Sequence, residues 1–260
     1  MKNYLCILLL IICCVCISVL YSLHLYYSGP SIRQTYALPL VEETDTLNIA
    51  YIGDSWAYLH KDHACLIGEI IENAMHKSVK IYSYGIPGLT SKEIYENIFD
   101  NEDLKTFLVT RNYKFCYISA GINDANLKMS TLYYVQSIDY IIQFLLENNI
   151  RPIIQGIPDF DILSTYYKQR MIKRLVYRLS SQITNSPIDC RQKYRKALND
   201  LIKIKKYKDV SIISYKSWNN NYTKDLKTLY KEDRMHLNDK GYEKLDSVIA
   251  AEIIQICNSN

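Results

Sequence analysis

The chain has 260 residues, 48% of them hydrophobic and 22% charged, and its 31 Lys and Arg against 27 Asp and Glu leave a formal charge of +4. Those figures exclude a disordered tail, a collagen-like repeat and a polytopic membrane protein, and the length suits one domain of roughly 200 residues with an extension. So even a balance does not call for nucleic acid as a partner.

Residues 4–27 read YLCILLLIICCVCISVLYSLHLYY, with no formal charge between Lys2 and Arg33. About 20 apolar residues span a bilayer as a helix. A cleaved signal has a shorter apolar run and a small-residue exit, whereas Tyr and Leu crowd this one, so an uncleaved anchor over 1–27 is expected. A lipoprotein would need a small residue just before a Cys, but Ile12, Cys13 and Val15 precede Cys13, Cys14 and Cys16. Lys2 and the amino terminus ahead of the span, with Arg33, Glu42, Glu43 and Asp45 the first charges beyond it, favour a cytoplasmic N-terminus and an extracytoplasmic body, in the periplasm or at the cell surface. Residues 28–46, with Gly29, Pro30 and Pro39, read as a linker, and 47–260 as the folded domain.

In that domain strand and helix patterns alternate. Short apolar runs at 47–52, 79–83, 115–119, 152–156 and 210–213 suit buried strands. Between them, helical spacing is expected over 61–76, 90–110, 130–149, 161–183 and 190–206, and 239–256 closes the chain. Such alternation implies an α/β fold with a parallel sheet of about five strands and helices on both faces. Right-handed crossovers then put every strand's C-terminal end on one edge, where chemistry is expected.

The residues at that edge carry the functional argument. Gly53-Asp-Ser-Trp56 follows the first strand and leaves Ser55 on the turn into a helix, a nucleophile if a base reaches it. Tyr84-Gly-Ile-Pro-Gly88 follows the second, its glycines letting the backbone approach a ligand. Gly121-Ile-Asn-Asp124 follows the third and offers the Asn123 amide as a donor. Asp233-Arg-Met-His236 precedes the last helix, with a carboxylate spaced to orient an imidazole. Alone, each is ordinary: an N-cap Ser, a loop, a turn-forming Asn-Asp pair. What is specific is their joint order, each at the end of a successive strand or in the last loop.

In that order they resemble the blocks of the SGNH/GDSL hydrolase superfamily: Gly53-Asp54-Ser55 its nucleophile block, Gly88 its second-block glycine, Gly121-x-Asn123-Asp124 its third block and Asp233-x-x-His236 its last. The resemblance covers roughly residues 47–257. It implies a flavodoxin-like three-layer α/β/α sandwich behind one N-terminal transmembrane helix. It also implies a serine esterase with Ser55 as nucleophile, His236 as base and Asp233 as its orienter. The oxyanion hole would be the N–H of Ser55, the N–H of Gly88 and the amide of Asn123, with no cofactor. Two positions depart from the pattern: Trp56 stands where the GDSL name has Leu, and Leu237 follows the His where many esterases have Pro.

The expected activity is hydrolysis of O-acyl groups, O-acetyl foremost, on a carbohydrate or cell-envelope glycan, or of a lipid ester. An O-acyltransferase is the alternative, because the triad does not choose between water and a sugar hydroxyl. A non-catalytic glycan-binding module on the same fold is a further alternative, against which an intact Ser55, Asp233 and His236 argue. Trp56, His60, His63 and Trp218 are expected to line the substrate site. His60 and His63 also have the spacing of a metal pair, but no Cys or carboxylate cluster completes a site, so no metal is expected. Trp218, the Asn219–Asn221 run and Tyr222 read as a carbohydrate-facing loop. From Lys168 to Lys208 thirteen Lys and Arg stand against Asp189 and Asp200, interleaved with Tyr177 and Tyr194. That stretch suits a solvated face, or contact with anionic glycan or lipid headgroups. Of the eight Cys, four lie in the anchor and Cys65, Cys116, Cys190 and Cys257 in the domain, where Cys116 is expected to pack as a small hydrophobe in its strand.

Overall fold

The computed structural model describes residues 2–29, 31–42, 44–61 and 65–259. The apolar N-terminal run forms helix α1 (Lys2–Ser28), whose Cys6–Ser28 stretch is long and apolar enough to cross a membrane. Leu8, Ile11, Val15, Val19 and Tyr21 stand exposed along it. Its C-terminal end meets the body: Tyr27 is buried with Met129 and Tyr133, Leu23 packs against them, and the Tyr27 carbonyl accepts the Ser130 N–H at 2.9 Å.

After α1 the chain does not hang as a free tether. Residues 31–42 form no helix or strand, yet the Gln34 N–H donates to the Tyr95 hydroxyl at 2.6 Å and the Leu38 N–H to Asn148 Oδ1 at 2.6 Å. The predicted linker is thus a strap laid along the domain.

The body runs β1 (Leu47–Gly53), α2 (Ser55–His60), α3 (Cys65–Met75), β2 (Val79–Gly85), α4 (Ser91–Asp100), α5 (Glu102–Val109), β3 (Tyr113–Ser119), α6 (Ile122–Leu127), α7 (Thr131–Glu147), β4 (Arg151–Gln155), α8 (Ile162–Tyr167), α9 (Met171–Ile183), α10 (Arg191–Lys205), β5 (Ser211–Ile213), α11 (Tyr222–Leu229) and α12 (Asp239–Ser259). All five predicted strands form. Two predicted helices divide, 90–110 into α4 and α5 and 161–183 into α8 and α9, and local chemistry explains the first division: Asn101 ends α4 and its side chain caps α5 by accepting the Leu104 N–H at 3.0 Å.

The strands make one parallel sheet in the order β2-β1-β3-β4-β5. Every residue of β1 is buried, as a central strand covered on both faces requires. Helices α3 and α12 pack together in one layer and α4, α7 and α10 in the other, giving the three-layer α/β/α sandwich. In this order the chain leaves β1 toward β2 on one side and returns to β3 on the other, so the crevice between the ends of β1 and β3 is the topological switch point where such sheets bind ligands.

Candidate active site

At the end of β1 the backbone leaves no room for a side chain: a Cβ on Gly53, whose φ is +153°, would lie 2.1 Å from the Ser119 carbonyl of β3. The strand ends therefore close up, and the next residue turns into α2. Asp54 caps that helix, its Oδ1 accepting the Trp56 N–H at 2.9 Å and the Ser119 hydroxyl at 3.2 Å. Asp54 is fully buried, and burial pushes its carboxyl from the ordinary 3.8 up to about 7. Between these constraints Ser55 becomes the first residue of α2, partly exposed at the edge.

His236 reaches Ser55 from the far end of the chain. Its Nε2 lies 2.8 Å from Ser55 Oγ, and its Nδ1 lies 2.6 Å from Asp233 Oδ2. A carboxylate only accepts, so Nδ1 carries the proton and the Nε2 lone pair faces the Ser55 hydroxyl. Asp233 Oδ1 also accepts the backbone N–H groups of Met235 and His236, both at 2.9 Å. Burial works to raise the Asp233 carboxyl, but the hydrogen bonds from His236 and Met235 outweigh it and hold the group below its usual value. The loop is a small hairpin, closed by the Lys231 N–H on the His236 carbonyl at 2.8 Å and an antiparallel bridge between Tyr230 and Leu237. It is fastened to the start of α8 by Arg234 on Asp161 at 3.2 Å.

The segments after β2 and β3 interlock beside it. Asn123 Nδ2 donates to the Leu89 carbonyl at 2.9 Å, while Asp124 accepts the Ser91 N–H at 2.8 Å and the Ser91 hydroxyl at 2.5 Å. The third block thus pins the loop that carries Gly88. Gly88 is exposed with φ +88°, and a Cβ there would meet nothing within 4 Å, so conformation and not space calls for glycine. Among the described residues no acceptor bonds the N–H of Ser55 or of Gly88. An Asn amide has two N–H donors, so Asn123 keeps one beyond the Leu89 bond.

The other expected site residues lie elsewhere. Trp56 and Trp218 are both fully buried, their rings 5.7 Å apart, and Asn219 is buried with them. The expectation that they face substrate is corrected: their indoles fill the core under the edge. His60 does not line the site either. It is fully buried, with Nε2 2.5 Å from Asp246 Oδ1 and Nδ1 3.3 Å from Ser83 Oγ, and so ties α2 to α12 and β2 beneath Ser55. His63 lies outside the described residues. Both departures from the family pattern, Trp56 and Leu237, fall on fully buried side chains and alter packing, not the reacting groups. Tyr177 and Tyr194 of the basic stretch are buried too, as is Tyr166, while Tyr167 is exposed. Cys116, Cys190 and Cys257 are free thiols, Cys116 buried in β3 as expected, while the Cys65 side chain lies outside the described set.

No family model matches the sequence, and no curated protein matches it. Solved structures do. A lipase/acylhydrolase from Enterococcus faecalis superposes with a TM-score of 0.55 at 17% identity, over 80% of this chain and 95% of its own. An acetyl xylan esterase superposes with a TM-score of 0.55 at 16% identity, over 80% of this chain and 100% of its own. A member of the lipolytic G-D-S-L family from Veillonella parvula gives 0.54 at 15% identity, over 80% and 98%.

Proposed function

We propose that this chain, which has the fold of the SGNH/GDSL hydrolases, is a membrane-anchored serine ester hydrolase. The observation that carries the reading is the unbroken relay from Ser55 Oγ through His236 to Asp233, with contacts of 2.8 and 2.6 Å, at the switch point of the sheet. Ser55 Oγ attacks the acyl carbonyl while its proton passes to His236 Nε2, and Asp233 stabilises the imidazolium that forms. The oxyanion is held by the N–H groups of Ser55 and Gly88 and the free N–H of Asn123. His236 then protonates the departing alcohol, leaving an acyl-Ser55. Water, deprotonated by His236, releases the acid and restores the hydroxyl.

O-acyl groups on a carbohydrate or cell-envelope glycan, O-acetyl foremost, are the substrate class. In support, Ser55 is partly exposed, and Pro87, Gly88 and Arg234 of the loops after β2 and before α12 are exposed. Acetyl groups on a carbohydrate are also what the name of one structural neighbour, the acetyl xylan esterase, specifies. Residues 1–27 serve as the anchor, 28–46 as the link and 47–260 as the catalytic domain, held on the extracytoplasmic side. A fluorophosphonate probe tests the chemistry: covalent labelling of the wild type and none of Ser55→Ala, with p-nitrophenyl acetate turnover lost in parallel, is expected. A folded wild type that takes no label would refute it.

A further inference from the structure

Helix α9 has two different apolar sides. Tyr177 and Ser180 are buried against the body, whereas Met171, Ile172 and Leu175 are 76%, 73% and 68% exposed and Val176 is exposed beside them. Met171 and Leu175, like Ile172 and Val176, are four residues apart, so the four form one stripe on the solvent side. In water an apolar stripe of this size on a single helix marks a contact surface.

The stripe has a basic flank. Residues 162–188 include Lys168, Arg170, Lys173, Arg174 and Arg178 and no Asp or Glu. None of these five cations has a carboxylate partner among the described residues, although Lys and Arg elsewhere are often paired. Arg174 and Arg178 enter a groove of about 390 Å³ with Tyr166, Tyr167, Met171 and Leu175. The Nε of Arg174 is buried without a hydrogen-bond acceptor among the described residues. Aromatic and aliphatic walls with unpaired guanidinium groups match an anionic amphiphile. A polyanionic glycan would leave the apolar stripe in water.

Position decides the occupant. The end of α1 packs on α9, where Tyr27 faces Tyr177 and Ser180, so α9 lies at the point where the apolar helix meets the body. We propose that α9, with the end of α8, lies in the headgroup region of the bilayer that α1 spans, its Met171–Val176 stripe among the acyl chains and its arginines on anionic lipid phosphates. This rests on the reading of α1 as a membrane anchor. Interfacial helices bury an apolar face about 5–10 Å into the headgroup boundary, and Lys and Arg beside an anionic leaflet strengthen the attachment.

The test uses the full chain reconstituted in vesicles of brominated phosphatidylcholine with phosphatidylglycerol, and a tryptophan introduced singly as Leu175→Trp on α9 or Tyr21→Trp on α1. Trp56 and Trp218 are buried and supply a wild-type background to subtract. The added emission of Leu175→Trp is expected to fall by about half or more relative to unbrominated lipid. Adding Arg174→Glu and Arg178→Glu to Leu175→Trp is expected to reverse most of that loss. Quenching of Tyr21→Trp without quenching of Leu175→Trp overturns the proposal and leaves the anchor standing, including the case in which a second copy of the chain covers the stripe. Quenching of neither removes the anchor reading and this proposal together. Fluorophosphonate labelling of the same samples reports on the Ser55 chemistry separately.

Discussion

Asp54 lies one residue before the proposed nucleophile, and the cost of its charge can be worked from its surroundings. The carboxyl is fully buried, accepts two hydrogen bonds through Oδ1, and leaves Oδ2 buried without a partner. Burial raises its pKa from 3.8 to about 7. At about pH 5 the folded state therefore binds the Asp54 proton and the unfolded state does not, so stability falls as pH rises through about 7 and is flat above it. One proton held by the folded state alone across the two pH units from about 5 to 7 corresponds to about 3 kcal/mol lost from this group. Asp124, raised by burial to about 6, adds a smaller loss of the same sign ending nearer that value. Asp233, held below its ordinary value, acts the other way: its contribution is present above 3.8 and is lost only as pH falls toward its folded value, outside this window.

Asp54→Asn removes the titration and keeps an acceptor for the Trp56 N–H. Urea unfolding of the full chain in detergent, followed by tryptophan emission, reports on the domain alone, since its two Trp are Trp56 and Trp218 and α1 has none. The wild type should lose about 3 kcal/mol more than Asp54→Asn between about pH 5 and 8. Parallel profiles for the two proteins would refute the argument, whatever the offset between them. The comparison is of slopes, so a fixed penalty for the amide that replaces Oδ2 does not confuse it.

Two further outcomes follow from the site. Asn123→Ala should lower kcat by about 10²–10³ with unfolding unchanged to within the loss of its Leu89 hydrogen bond, and near-wild-type turnover would remove Asn123 from the oxyanion hole. Trp218→Ala should cost about 3–5 kcal/mol of stability and leave KM unaltered, because the indole fills the core against Trp56; a raised KM at undiminished stability would return Trp218 to the substrate surface.

The parts of this protein carried by short stretches of chain were legible in its sequence. An apolar run of anchor length, five strand-length runs ending at turn residues, and the Ser55, Asn123 and Asp233-to-His236 blocks are each local patterns, and their order along an alternating α/β chain placed them on one edge. Asp233 and His236 meet because they are three residues apart on one tight loop. Pairings across the chain left no such signal. His60 finds Asp246 at a separation of 186 residues, and Trp56 finds Trp218, so residues that looked like substrate contacts are core. Tertiary structure alone decided that residues 31–42 lie along the domain, that Asn123 holds the Gly88 loop through Leu89, and that the basic stretch divides: Tyr177 and Tyr194 turn inward while the Met171–Val176 stripe of α9 faces out beside α1. The physical reason is the same throughout. Local periodicity says which face of an element is apolar, but which apolar face is buried depends on what the rest of the chain brings against it.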